Sequence, residues 1–279
     1  MADDDVSFAV ATYRYLRLAI VVVLTALIAS VLIERANAPC WLGSLSAYYY
    51  TPVQPIFVGA LISIGVSFVA IKGSSTAEDI ALNVAGVVAP IVAIVPTDRP
   101  RQVCASSELT LGDERAFINN NVVALIIAGA VAIGIGWWAT RRSRGQRPEF
   151  SSIVGLGVAL VMLVGGAAWY WLDDDSFFSR AHGVAAVVMF LALWVTMLIN
   201  AVDEDRQFRT VYWGTAVAMV LVAVAVGIGW LVDRHWQHKI LVLELFELAP
   251  VVVFWAVQTV EHWDGGDEAA PEMPYRSVG

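Results

Sequence analysis

Apolar residues in this chain come in long blocks rather than in short alternating patterns. Eight runs of 16 to 22 residues stand out: Leu18 to Ile33, Pro52 to Ile71, Ile80 to Pro96, Val122 to Thr140, Ile153 to Leu172, Val184 to Asn200, Val211 to Val232 and Ile240 to Val260. A helix rising 1.5 Å per residue needs about 20 residues to cross a hydrocarbon core of about 30 Å. The blocks therefore predict an all-α, polytopic transmembrane bundle of about eight spans. The first run is short, but Arg14 and Arg17 precede it, and their long stems can snorkel to the membrane surface. Eight spans put both termini on one side.

Polar positions between the runs organise the rest. An acidic segment over 1–17 leads into a single eight-helix domain over 18–260, and an acidic tail over 261–279 follows. With both termini cytoplasmic, the inner segments hold ten of the 17 Lys and Arg residues, including R-R-S-R-G-Q-R from Arg141 to Arg147. That orientation places Cys40 and Cys104 together on the outer, oxidising side and predicts a disulfide between them. No cleavable leader is expected, because Asp3, Asp4 and Asp5 replace the usual basic start.

Composition agrees with the blocks. Hydrophobic residues make up 58% and charged residues 15% of the chain, and 11 tryptophans gather near the ends of the runs, as in interfacial aromatic belts. The net charge of −8 argues against a nucleic-acid partner. The expected partners are membrane lipid and other membrane-protein subunits. No cofactor or metal is expected.

Candidate chemistry is confined to a few polar positions. The stretch S-L-S-A-Y-Y-Y-T-P-V-Q-P from Ser44 to Pro55 cannot lie in hydrocarbon, since each phenol needs a partner and each proline removes a donor. Tyr48, Tyr49, Tyr50 and Thr51 are expected to line a cavity or an interfacial belt on the outer side. Glu244 and Glu247, three residues apart, share one face of the last helix and point into the bundle by the cost of exposing them to lipid. Gln258 and Glu261 continue that stripe. On the third helix Asn83 lies deep enough to require a hydrogen-bond partner, whereas Glu78 and Asp79 are explained by capping after Ser75 and Thr76. Asp173 to Asp175, His182, Asp233, His235 and His238 are metal-capable and on the outer side, but no third ligand has a fixed spacing.

The segments S-L-S-A-Y-Y-Y-T-P-V-Q-P-I-F-V-G, S-T-A-E-D-I-A-L-N-V-A-G and I-V-A-I-V-P-T-D resemble bacterial multi-span proteins of uncharacterised activity with a layout similar to the Frag/DRAM/Sfk-like membrane proteins. The resemblance covers roughly residues 40–98. It implies a bacterial inner-membrane location and marks Tyr48 to Pro52, Asn83, Pro96 and Thr97 as signature positions. The chain is also similar to the CREST membrane hydrolases in being all-helical. That family requires three intramembrane histidines, whereas His182, His235, His238 and His262 lie near span ends here and no H-x-x-x-H falls on the last helix.

The expected function is binding of lipid, a small molecule or a partner subunit. Two alternatives are a membrane-embedded hydrolase or transferase using Glu244 or Glu247 as general base with His182 or His238 assisting, and a proton-coupled transporter. The last needs a polar path from Glu247 to Asn83 and Glu261.

Overall fold

The computed structural model describes residues 2–99, 104–107, 114–142, 150–203 and 206–264, with side chains from residue 12 to residue 263 within those ranges, Phe150 and Ser151 excepted. It is helical throughout the described residues. The order is α1 (Ala2–Asn37), a 3-10 turn (Ser46–Tyr50), α2 (Gln54–Ala70), α3 (Thr76–Ile94), α4 (Glu114–Arg142), α5 (Phe150–Leu172), α6 (Asp174–Val202), α7 (Arg209–Val232) and α8 (Lys239–Asp264). Each predicted apolar run lies within one helix or nearly so. Seven of the helices are long and apolar enough to cross a membrane. The other is α2, whose 17 residues rise only about 25 Å.

Helix ends fall where capping chemistry puts them. Ser75 is extended and its Oγ accepts the Glu78 amide, which starts α3. Asp173, the single residue between α5 and α6, accepts the Ser176 amide and forces an immediate reversal. Other helices run past their apolar blocks into polar sequence. α1 already begins at Ala2, so the acidic 1–17 stretch is not a segment apart from the first helix. Residues 265–279 of the expected C-terminal tail lie outside the described residues.

Six helices close a ring in which α1 packs on α2, α2 on α3, α3 on α6, α6 on α7, α7 on α8 and α8 back on α1. Phe68, Leu82, Met197, Tyr212, Phe254 and Trp255 fill its interior, each below 2% exposed. Two glycines bring α2 and α3 together. A Cβ on Gly65 would sit 2.8 Å from the Gly86 carbonyl oxygen, and one on Gly86 would sit 2.6 Å from that of Gly65. Pro90 removes the amide that would otherwise bond Gly86 O, which leaves that oxygen to face the neighbouring helix.

α4 and α5 lie outside the ring, against α3 and α6. Their most apolar windows are 6% and 0% buried, against 61% for α3. Tryptophans at the helix ends carry cations over their rings, Arg141 over Trp137, Arg142 over Trp138 and Arg234 over Trp230.

Candidate functional site

The chain between α1 and α2 folds down as a cap on one end of the ring. It is fastened to the segment after α3 by a disulfide and to the start of α8 by hydrogen bonds. Cys40 is disulfide-bonded to Cys104, with Cα atoms 5.1 Å apart. Glu34, at the end of α1, accepts from the amide and hydroxyl of Ser106 at 2.6 and 2.7 Å. The start of α8 is held by the Leu241 amide donating to Gly43 O at 2.9 Å and by His238 Nε2 at 3.3 Å from Trp41 O. Thr51 ends the 3-10 turn, its hydroxyl donating to Tyr48 O at 2.7 Å while its oxygen accepts the Val53 amide at 3.2 Å. Thr51 is 1% exposed and belongs to the turn itself.

The three tyrosines point inward. Tyr48, Tyr49 and Tyr50 are 0%, 1% and 5% exposed, so they line no solvent-accessible space, contrary to the cavity expected for them. Tyr49 packs edge-on against both Tyr50 and Phe57. The Tyr50 hydroxyl donates to Thr97 O at 2.8 Å, and Arg99 covers its ring. Tyr48 O–H lies beside the Leu42 backbone without a hydrogen bond of ordinary geometry. Burial pushes all three phenols above their usual range, and Glu114 pushes Tyr50 further. They remain neutral donors at physiological pH.

The centre of this end is a contact that joins α3, the cap, α6 and α8. Ser46 Oγ lies 2.9 Å from Glu244 Oε1 and 2.8 Å from His182 Nε2. The other Glu244 oxygen accepts the Leu45 amide at 2.5 Å, and the other His182 nitrogen lies 2.7 Å from Val95 O at the end of α3. Ser46 is 4% and His182 8% exposed. Sequence reading found Glu244 from the cost of a carboxylate on an apolar helix and offered His182 or His238 as its assistant in the enzyme alternative, but did not single out Ser46. Their sequence separation of 136 leaves no local signal.

The remaining candidates lie elsewhere. Glu247 is 6% exposed, one turn along α8, and its Oε2 has no partner. Asn83 is half-buried in a shallow cleft between α3 and α5, beside Gly155 and far along α3 from the cap. The outer acids and histidines do separate jobs: Asp174 and Asp175 face Arg115, Asp233 accepts the His235 amide, and His238 approaches Trp41.

A second polar cluster occupies the opposite end of the ring. Glu78 Oε1 accepts from Asn200 at 2.8 Å and from Gln258 at 3.2 Å, and its Oε2 accepts from the amide and hydroxyl of Ser74, each at 2.7 Å. Gln258 in turn accepts from Arg17 at 2.6 Å. All four of Arg17, Glu78, Asn200 and Gln258 are buried. The Gln258 amide therefore bridges a guanidinium and a carboxylate that do not touch. Beside it Glu261 accepts from Tyr212 at 2.5 Å and pairs with Arg206 at 3.4 Å. Capping explained Glu78 in sequence terms; its side chain does more, tying α3 to α6 and α8.

Between the two clusters, Leu248, Val251, Phe254 and Trp255 of α8 are buried and apolar, and Trp255 stacks on Phe68 of α2. No family model matches the chain, and neither a curated protein nor a solved structure does.

Proposed function

We propose that the chain is an eight-span bacterial inner-membrane protein with both termini in the cytoplasm, acting as an accessory subunit that docks a partner's transmembrane helix on α4 and α5. The observation behind this is the slight packing of those two helices within their own bundle, 6% and 0% of the apolar window. Apolar surface alone would be satisfied by lipid. Small residues favour a helix, because they let backbones approach closely. Gly134 of α4 and Gly157 and Gly165 of α5 are open, with no atom within 4 Å of the Cβ position, and Gly157 and Gly165 fall on one exposed face with Val161, Val164 and Ala168. An even number of spans is supported by the meeting of the N-terminal half of α1 with the end of α8, through Arg17 and Gln258 and through Arg14 and the Trp263 carbonyl.

The test is purification in native nanodiscs followed by mass spectrometry of intact complexes, with the Gly157→Leu, Gly165→Leu double variant alongside. A protein subunit, or a second copy, that is present with the native chain and lost from the variant supports the reading. A monomer carrying only lipid in both cases refutes it.

A second reading rests on Ser46, whose hydroxyl lies within hydrogen-bond reach of His182 in the manner of a nucleophile beside its base. It makes the chain a membrane-embedded hydrolase or transferase with Glu244 polarising the same hydroxyl. Covalent capture of Ser46 by a fluorophosphonate probe in intact membranes supports it; no labelling of the folded protein rules it out. The apolar layer between the two polar ends speaks against the proton-coupled transporter.

A further inference from the structure

The positions of four oxygens and three nitrogens restrict where protons can be at the cap. A carbonyl oxygen only accepts, so the 2.7 Å contact to Val95 O places a hydrogen on His182 Nδ1. The Leu45 amide only donates, so Glu244 Oε2 accepts. Between these fixed ends stands Ser46, with one hydroxyl hydrogen and two neighbours, at 2.8 and 2.9 Å. Ser46 can donate to one of them, and the other must donate to Ser46. Two arrangements satisfy that. In the first, His182 is neutral, Ser46 donates to its bare Nε2, and a protonated Glu244 donates to Ser46 Oγ. In the second, His182 is an imidazolium donating from Nε2 to Ser46, and Ser46 donates to the Glu244 carboxylate. Both hold the same number of protons and the same net charge. They interconvert by a short shift of two protons through the hydroxyl, one from Glu244 to Ser46 and one from Ser46 to His182.

A neutral imidazole with an ionised carboxylate holds one proton fewer. Ser46 can then satisfy only one neighbour, and two lone-pair-bearing atoms face each other where Ser46 and His182 are buried and Glu244 is half-buried. We propose that Glu244, Ser46 and His182 form a single proton-binding site, and that the bound proton is the latch holding the cap onto α6 and α8. Release of the proton breaks one of the two bonds that join Ser46 to the helices. The turn from Leu45 to Tyr50 then opens more readily, by about ten- to a hundredfold in local opening equilibrium. This inference does not rest on the partner-subunit reading.

Charged and titratable groups nearby have other engagements. On α1, Glu34 is bonded to Ser106 and Arg35 covers the Trp41 ring. The end of α3 contributes only Val95, and Arg99 beyond it covers Tyr50. On α6, Asp175 faces Arg115 at 2.5 Å. On α8, His238 approaches Trp41 O and Lys239 covers Trp230. The tyrosines of the turn stay neutral. Two carboxylates close by carry an unpartnered oxygen, Glu247 on α8 and Glu114 at the start of α4 beside Tyr50, and each needs its own control, Glu247→Gln below and Glu114→Gln with the same expected outcome.

The experiment is hydrogen–deuterium exchange of the full-length protein in nanodiscs, following peptides from the cap over the pH range in which histidines and buried carboxylates change charge. Rates are corrected for intrinsic exchange. The native protein is expected to lose protection of residues 45–50 in a single step as pH rises. Glu244→Gln provides the sharpest comparison, because its amide oxygen can accept from Leu45 while its NH2 donates to Ser46 permanently. Its cap should stay protected at every pH. Ser46→Ala, which removes the bridge, should leave the cap open at every pH, and Glu247→Gln should keep the native step. Protection of the native cap that does not change with pH, or a step that persists in Glu244→Gln, overturns the proposal. A step abolished by Glu247→Gln does so as well. Should Glu244→Gln fail to fold, infrared spectroscopy of the native protein decides: a protonated-carboxyl band or an imidazolium band must vanish in the same step that opens the cap, and the absence of both at every pH is refuting.

Discussion

Replacing Gln258 by leucine isolates the bridge at the end of the ring opposite the cap. The native amide accepts from Arg17 at 2.6 Å and donates to Glu78 at 3.2 Å, so the substitution removes two hydrogen bonds to charged, buried partners in one step. Such bonds contribute about 1.5–3 kcal/mol each. Leucine returns part of the loss as apolar burial at a position 2% exposed, leaving a net destabilisation of about 2–4 kcal/mol. Ordinary neutral bonds between transmembrane helices average only about 0.6 kcal/mol, which would predict a loss near 1 kcal/mol or none. Equilibrium unfolding in mixed micelles separates the two outcomes. The companion measurement places Gln258→Leu in a background where Arg17→Met and Glu78→Gln have removed both charges. There the cost of leucine should fall below about 1 kcal/mol, because no stranded charge remains. A Gln258→Leu protein within about 0.5 kcal/mol of the native one, or an equal cost in both backgrounds, would refute the view that the amide couples the two charges.

Three further outcomes follow from the geometry. Replacing Cys40 and Cys104 by serine opens a bridge spanning 64 residues of sequence, and chain-entropy reasoning gives a loss of about 4 kcal/mol, readable as a lower thermal midpoint that matches the native protein under reductant. Gly86→Ala puts a methyl 2.6 Å from Gly65 O and 2.7 Å from Val69 Cγ2 and should destabilise by about 1–3 kcal/mol, whereas Gly134→Ala, which meets nothing within 4 Å, should melt with the native protein. Glu247→Leu replaces a buried carboxylate with an unpartnered oxygen and should raise stability by about 1 kcal/mol or more in the same unfolding assay; a loss would show that the carboxylate has a partner in the working protein.

The all-helical architecture was legible because hydrocarbon length and backbone satisfaction leave few alternatives. Helix limits were less so. α1 and α4 begin 16 and 8 residues before their apolar runs, at Ala2 rather than Leu18 and at Glu114 rather than Val122, since an apolar run marks the hydrocarbon while helix propensity continues into polar surroundings. The disulfide partner of Cys40 followed from topology. Glu244 was visible because a charge on an apolar helix is costly. His182 was one of two histidines offered beside it and was not separated from His238, and Ser46 was not singled out, because nothing in a serine of a polar turn or a histidine near a span end encodes a neighbour in another helix. Arg17 is the clearest misreading: it snorkels in sequence logic, yet it is 8% exposed and bonded to Gln258. The same long-range blindness turned the tyrosines from core residues into the expected wall of a cavity.

The pairing of Arg17 with Gln258 also orders events in time. Arg17 enters the membrane with the first helix, and its partner is made 241 residues later, a delay on the order of tens of seconds at ordinary synthesis rates. Until α8 is made, α1 carries a guanidinium without the amide that receives it, and Glu78, even once Asn200 has joined it, lacks Gln258. The ring cannot close until α8 arrives, so assembly is completed by the last helix and not by stepwise addition of finished pairs. A nascent chain released before α8 would leave these two charges unbridged within the bilayer, a feature by which membrane quality control could recognise it as incomplete.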